Sequence, residues 1–170
     1  MRIFLIGFMG SGKSSLGRKL AAFLNYEFLD LDKLIEKKTG MSIAEFFSKN
    51  GEEKFREMER DVLQQTVSDE NCVIATGGGA PCYYDNIDWM NTQGKTVYLS
   101  MDPKALAIRL INSKTERPLI KGLNYDELVN FIGLKLGTRE PYYQKAQYIV
   151  SGLDLSAEKL AAYLDLTLLT

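Results

Sequence analysis

Arg2-Ile3-Phe4-Leu5-Ile6 runs straight into Gly7-Phe8-Met9-Gly10-Ser11-Gly12-Lys13-Ser14, and a helical pattern follows from Leu16 to Leu24. A buried-strand pattern, a glycine-rich turn and a helix in that order aim successive backbone N–H groups at one point. The positive end of the helix dipole adds to their pull on an anion. The spacing G-x-x-x-x-G-K-S makes the turn a phosphate cradle, in which Lys13 would reach the outer phosphates of a nucleotide and the Ser14 hydroxyl would ligate Mg²⁺. The motif points to a bound nucleotide and leaves the reaction open.

Outward from the cradle, short apolar runs at 2–6, 27–31, 72–76, 96–100 and 148–151 alternate with helical patterns at about 14–24, 33–39, 43–49, 52–68, 103–112, 125–146 and 156–165. That alternation predicts βαβ units and a parallel sheet, an α/β protein. Ser42-Ile43-Ala44-Glu45 reads as a capping box and Gly40 as the stop of the preceding helix, so the second crossover carries extra helices between Asp32 and Cys72. A second substrate would sit there. The segment 112–124, with its charges, Pro118 and Gly122, reads as a mobile loop.

At 170 residues the chain suits one domain with a real core. A net charge of -1 gives no reason to expect a nucleic-acid or membrane partner, and no run is long enough to cross a bilayer. The first residues lack the length and cleavage site of a signal peptide, and Cys72 and Cys82 form neither a metal spacing nor a disulfide framework. Cytoplasmic residence is the expectation. No exposed apolar stripe is evident, which favours a monomer. The chain has no histidine, so any general base must be a carboxylate, a lysine, a tyrosine or a thiolate.

Asp30-Leu31-Asp32 closes the second strand at the edge where open α/β sheets bind ligands. Alternation along a strand puts Asp30 and Asp32 on one face, where one could assist Mg²⁺ and the other accept a hydrogen bond or a proton from an attacking hydroxyl. A helix N-cap beside a solvated aspartate is the simpler alternative. Arg56 lies in a helix with the apolar stripe Phe55, Met58, Val62 and Leu63, and Glu59 is spaced to hold it in one rotamer. An oriented guanidinium suits a planar carboxylate, although a surface ion pair uses the same spacing. Thr76-Gly77-Gly78-Gly79-Ala80 is either a plain turn or a place where substrate touches backbone. Arg117 and Arg139 are either solvated or able to close over a transferring phosphoryl group.

Taken in order, Gly7 to Ser14, Asp30-Leu31-Asp32, Phe55-Arg56-Glu57-Met58-Glu59, Gly77-Gly78-Gly79, Arg117-Pro118-Leu119 and Arg139-Glu140-Pro141-Tyr142 resemble the shikimate kinase family over nearly the whole chain. The resemblance implies a three-layer P-loop kinase fold of the nucleoside-monophosphate-kinase type. Its five-stranded parallel sheet has the order 2-3-1-4-5 and is flanked by helices, in a single domain over 1–170 with substrate-binding helices at about 33–68 and a mobile lid at about 112–124. It also implies ATP-dependent phosphorylation of the 3-hydroxyl of shikimate, giving shikimate 3-phosphate and ADP on the route to chorismate and the aromatic amino acids.

Carried over by motif, Lys13, Asp32 and Arg117 would be catalytic, and Gly10, Ser11, Gly12, Lys13, Ser14, Ser15 and Arg117 would bind ATP. Asp32, Arg56, Gly78, Gly79 and Arg139 would bind shikimate, with Phe47 and Phe55 lining the ring pocket. Ser14, and Asp30 through water, would hold one Mg²⁺. ATP and shikimate would be the only partners. Members of the family often carry an arginine seven residues before the R-P-L arginine, near the adenine, whereas this chain has Leu110 there and Arg109 beside it. The stretch Gly152-Leu153-Asp154 also differs in composition from the adenine loop of many members. A kinase of another sugar acid such as gluconate is the nearest alternative, against which F-R-x-x-E with R-P-L argues. A guanine-nucleotide switch would need N-K-x-D and D-x-x-G, and neither stands in an appropriate place.

Overall fold

The protein is described from a computed structural model covering residues 1–68, 70–115 and 117–166. Strand β1 (Arg2–Ile6) leads to helix α1 (Lys13–Leu24), then β2 (Glu27–Asp30), α2 (Leu31–Thr39) and α3 (Ile43–Gln65). These are followed by β3 (Cys72–Ala75), α4 (Asn86–Gln93), β4 (Lys95–Ser100), α5 (Pro103–Ile111), α6 (Tyr125–Tyr143), β5 (Tyr148–Ser151) and α7 (Ala157–Tyr163). The strands form one five-stranded sheet in the order β2-β3-β1-β4-β5, with every pairing parallel. This is the sheet order that the family resemblance implies.

The central strand explains why the architecture has three layers. Ile3 and Leu5 point into an apolar cluster with Leu16 and Leu20 of α1 and Leu160 of α7. Phe4 and Ile6 point the other way, into a cluster with Phe55 and Leu63 of α3, Met90 of α4 and Tyr143 of α6. Both faces are sealed, as the continuous apolar run requires. A third cluster joins Phe8, just past β1, to Leu106 and Leu110 of α5 and Leu128 and Ile132 of α6. It anchors the two helices at the carboxyl edge of the sheet.

Several boundaries differ from the sequence pattern, and each has a local cause. The second strand ends at Asp30 rather than 31, because the Asp30 carboxylate accepts a hydrogen bond from the Lys33 N–H at 3.4 Å and starts α2 at Leu31. Asp30 and Asp32 therefore do not share a strand face by alternation; one is a helix cap and the other lies in the first helical turn. The expected break between helices at 43–49 and 52–68 is present as a non-helical Gly51 (φ 80°, ψ 172°) inside α3, which itself stops at Gln65 before a 3₁₀ turn at Thr66–Ser68. Helix α4 has no counterpart among the helical patterns of the sequence, since Asn, Asp and Thr are weak helix formers and its apolar positions are few. Helix α6 ends at Tyr143, short of 146. Ile108 and Ile111 of α5 and Leu134 of α6 are exposed, apolar surface that the sequence did not announce. Among the described residues no helix is long and apolar enough to cross a membrane.

Tyr143 ties the end of α6 to the loop after β3. Its ring lies 4.9 Å from that of Tyr98, and its hydroxyl donates to the Gly78 carbonyl at 2.5 Å. Tyr98 in turn donates to Glu140 Oε2 at 2.8 Å. Tyr143→Phe leaves the part-buried Gly78 carbonyl without its donor. The expected outcome is a loss of about 1 kcal/mol in urea unfolding, with the far-UV circular dichroism of the native state unchanged.

Candidate active site

All five strands end at one edge, and the loops and helix starts just beyond their carboxyl ends build the site. After β1, Gly10 and Gly12 take positive φ of 83° and 94°, which lets the loop curl around the start of α1. Gly12 occupies the N-cap of α1 without a side chain to block the first N–H groups. Lys13 folds back over its own loop and donates to the carbonyls of Gly7 at 2.8 Å and Phe8 at 2.9 Å. Burial pulls its ammonium down from 10.5 to about 8, with Asp32 opposing that shift and Arg117 and Arg139 adding to it.

Ser14 donates to Asp30 Oδ2 at 2.9 Å, so the helix cap of α2 and the first turn of α1 meet. Lys13, Ser14, Asp30, Asp32, Gly78 and Arg117 surround a cavity of about 280 Å³. The two aspartates thus reach the same space by a cap-and-first-turn geometry. Burial, seconded by the charge of Asp30, raises the Asp32 carboxyl above its ordinary value. A wider cleft of about 870 Å³ opens on the other side of the cradle, between Ser11, Gly12 and Ser15 and the loop around Gly152 and Asp154. Arg109 stands between the two spaces, donating to the Ser11 carbonyl at 3.2 Å and the Gly152 carbonyl at 3.1 Å. Leu110 instead packs against the loop, where a Cβ on Gly10 would lie 3.0 Å from its side chain. In this chain the arginine one place earlier reaches the region near Gly152.

The three glycines after β3 have a physical reason that the sequence left open. A Cβ on Gly79 would lie 2.6 Å from the Arg56 guanidinium, one on Gly78 3.1 Å from Arg139 Nη1, and one on Gly77 2.8 Å from Glu59 Oε1 and 3.2 Å from Asp32 Oδ1. Four charged groups converge on a backbone kept bare for them. Arg56 is buried, its Nη1 paired to the equally buried Glu59 at 2.8 Å. Burial pushes the Glu59 carboxyl up, and the Arg56 contact opposes it. Phe55, Phe47 and Tyr83 wall the guanidinium at 5.1, 5.9 and 4.1 Å from their ring centres, and Arg139 lies 5.4 Å over Phe8. The pairing of Arg56 with Glu59 is therefore a buried one rather than the surface pair that shares its spacing.

Buried side-chain polar atoms nearly always find partners. Among the described residues three lack one: Ser11 Oγ, Arg56 Nε and Arg117 Nε. All three belong to the groups that the sequence assigned to anion binding. Glu52 and Tyr83 do not stand out in the sequence, and Tyr143 does so only as the residue that follows Arg139-Glu140-Pro141-Tyr142, with no role attached. The i,i+4 spacing of Glu52 and Arg56 could have shown the first, whereas the two tyrosines reach the site only through long-range contacts.

A phosphate cradle on a parallel sheet of this order, with a buried carboxylate and a pair of arginines facing it, defines a P-loop phosphotransferase for a small acceptor. The sequence model of the shikimate kinase family matches residues 9–168. A shikimate kinase of Bacteroides thetaiotaomicron is 47% identical over 155 residues, 91% of this chain and 89% of that protein. A crystal structure of shikimate kinase from the same species superposes with a TM-score of 0.93 at 44% identity, covering 97% of this chain and 98% of that one. The Acinetobacter baumannii shikimate kinase in complex with shikimate gives a TM-score of 0.82 at 35% identity, covering 98% and 94%. The chain belongs to the shikimate kinase family.

The lowered Lys13 value carries a pH signature. A depressed lysine costs the ligand-free fold stability in full below about 8, where the unfolded side chain is charged, and the cost fades as pH rises toward 10.5. A polyphosphate in the cradle restores the ammonium. Binding of Mg-ATP at pH 8 is therefore expected to take up a fraction of a proton, and less at pH 7, as read by calorimetry in buffers of different ionisation enthalpy.

Proposed function

We propose that the protein transfers the γ-phosphoryl group of ATP to the 3-hydroxyl of shikimate, giving shikimate 3-phosphate and ADP in the synthesis of chorismate. The observation that carries the assignment of roles is the set of buried, unpartnered donors on Ser11, Arg56 and Arg117. Donors desolvated without a partner are what an anionic ligand is needed to complete. In this reading Gly10, Ser11, Gly12, Lys13, Ser14 and Ser15 hold the triphosphate, and Arg56 and Arg139 clamp the acceptor's carboxylate. The Gly78 and Gly79 backbone and the rings of Phe47 and Phe55 complete the acceptor pocket. Arg117 lies in the segment 112–124, which acts as the lid; Glu116, within it, is outside the described residues.

Catalysis then rests on position and charge. Asp32 accepts the hydrogen bond of the attacking hydroxyl and takes its proton as the new O–P bond forms, while the bond to the bridging oxygen breaks and its electron pair leaves with ADP. Burial lifts the Asp32 carboxyl toward the working pH, which strengthens it as a base. Lys13 and Arg117 offset charge on the phosphoryl oxygens. The hydroxyl of Ser14 and the carboxylate of Asp30, 2.9 Å apart, supply the hard oxygen donors that suit Mg²⁺. Among the described residues no cluster of three or more acidic, cysteine or histidine side chains could cage a metal, which fits an ion held mainly by substrate phosphates. Ser14, and Asp30 through water, would hold such an ion, which would supply charge to screen the triphosphate. Both halves of the site come from one chain, consistent with a single-domain monomer, and consumption of ATP fits the cytoplasm.

Lys13→Ala and Asp32→Asn are each expected to lower kcat on the order of a hundredfold or more, measured as coupled ADP release. Native-like circular dichroism with unchanged kcat in Asp32→Asn would remove Asp32 from the reaction. Across a panel of hydroxy-acids with Mg-ATP, shikimate is expected to stimulate ADP release and gluconate to leave it at the background rate. Stimulation by gluconate alone would overturn the choice of acceptor.

A further inference from the structure

Glu52 is the first residue after the break in α3 at Gly51, where a φ of 80° turns the chain and lets the second half of the helix start afresh. Its side chain is 56% exposed, yet it faces inward. The carboxylate accepts the Tyr83 hydroxyl at 2.7 Å and Arg56 Nη2 at 3.4 Å. The ring of the same Tyr83 lies over the Arg56 guanidinium, 4.1 Å from its centre. The Tyr83 hydrogen bond holds the Glu52 carboxyl below its ordinary value, so it is charged throughout the neutral range.

Arg56 thus carries two carboxylates of different standing. Glu59 is 1% exposed and pairs with Nη1 at 2.8 Å; it already neutralises the guanidinium and cannot leave without burying a lone charge. Glu52 is surplus in charge, sits at the longer distance and is half in water, so it can be given up cheaply. It keeps Nη2 occupied while no ligand is present. Any acceptor whose own carboxylate comes to Arg56 must share the field of Glu52 or displace it.

We propose that Glu52, held by the Tyr83 hydroxyl, is a place-holder for the acceptor's carboxylate on Arg56 and so sets the affinity for the acid. The inference rests on the reading of Arg56 as a carboxylate-binding group. Glu52 and Tyr83 are positioning residues in this scheme, acting on the substrate through the guanidinium. The acceptor's carboxylate replaces a charge of the same sign, and the exchanged Glu52 turns out to solvent.

The test is a set of kinetic and calorimetric comparisons on the intact enzyme. Glu52→Gln is expected to lower KM and Kd for shikimate about threefold, the scale of a partly exposed ion pair, with KM for ATP unmoved. Tyr83→Phe, which frees the carboxylate but keeps the ring over Arg56, is expected to move KM for shikimate in the same direction by less. A gain in affinity on removing a contact is not what a merely structural role produces. In an Arg56→Met/Glu59→Gln background, which removes the buried pair as a unit, Glu52→Gln is expected to leave KM for shikimate where it is. An unchanged or raised KM in Glu52→Gln overturns the place-holder, as does an equal fall in the background lacking Arg56. If that background itself binds shikimate as tightly as the parent, the reading of Arg56 fails first and the place-holder with it.

Discussion

Parallel pairing about β1 is the constraint on which everything else depends. A parallel sheet sends every strand end to one edge, so the loops after β1, β3 and β5 and the start of α2 are forced into one neighbourhood whatever their sequences. The edge is fixed by burial rather than by the loops. Ile3 and Leu5 on one face and Phe4 and Ile6 on the other are fully buried, and this two-sided packing fixes the height at which Gly7 leaves the sheet. The phosphate cradle inherits its place from that packing.

Crowding charged groups at one edge carries an electrostatic cost, and the structure meets it in two ways. Opposite charges are interleaved: Lys13 lies among Asp30, Asp32, Arg117 and Arg139, and Arg56 is locked to Glu59. Space is made by removing side chains, since the Gly77–Gly79 backbone is approached by Asp32, Glu59, Arg139 and Arg56. Among the described residues three buried side-chain polar atoms remain unpartnered, Ser11 Oγ, Arg56 Nε and Arg117 Nε, and on the proposed reading they are the ones that meet ligands. The acidic groups of Glu59 and Asp30 are thus paired or hydrogen-bonded while some cationic donors are left open, an arrangement that suits the electrostatic preorganisation of the proposed phosphoryl transfer.

The Glu52–Tyr83 contact adds a layer that the sequence motifs do not reveal. A residue spaced four from Arg56 on a helix and a tyrosine from the loop after β3 meet only because α3 packs across that loop. Tyr143 of α6 reaches the Gly78 carbonyl of the same loop, so the loop after β3 is held from both sides. Such supports are assembled from distant segments, which is why a linear reading passes over them.

Local physics was legible in the chain: the apolar run of β1, the positive-φ glycines of the cradle, the capping box at Ser42 and the alternation of strands and helices predict the fold class, and the ordered motifs name the family. Local signals failed where they were weak, as in α4, and where two local rules met. At Asp30 capping won over strand extension, because one carboxylate could serve both the Lys33 N–H and the Ser14 hydroxyl. Tertiary structure alone decided that Arg56 and Glu59 form a buried pair, that Arg109 bridges the cradle to Gly152, and that three glycines stand where four charges converge. Helix and strand signals are carried by neighbours in sequence, whereas burial, charge pairing and close approach depend on which distant segments share a volume. The strand order settles that only once the whole sheet has closed.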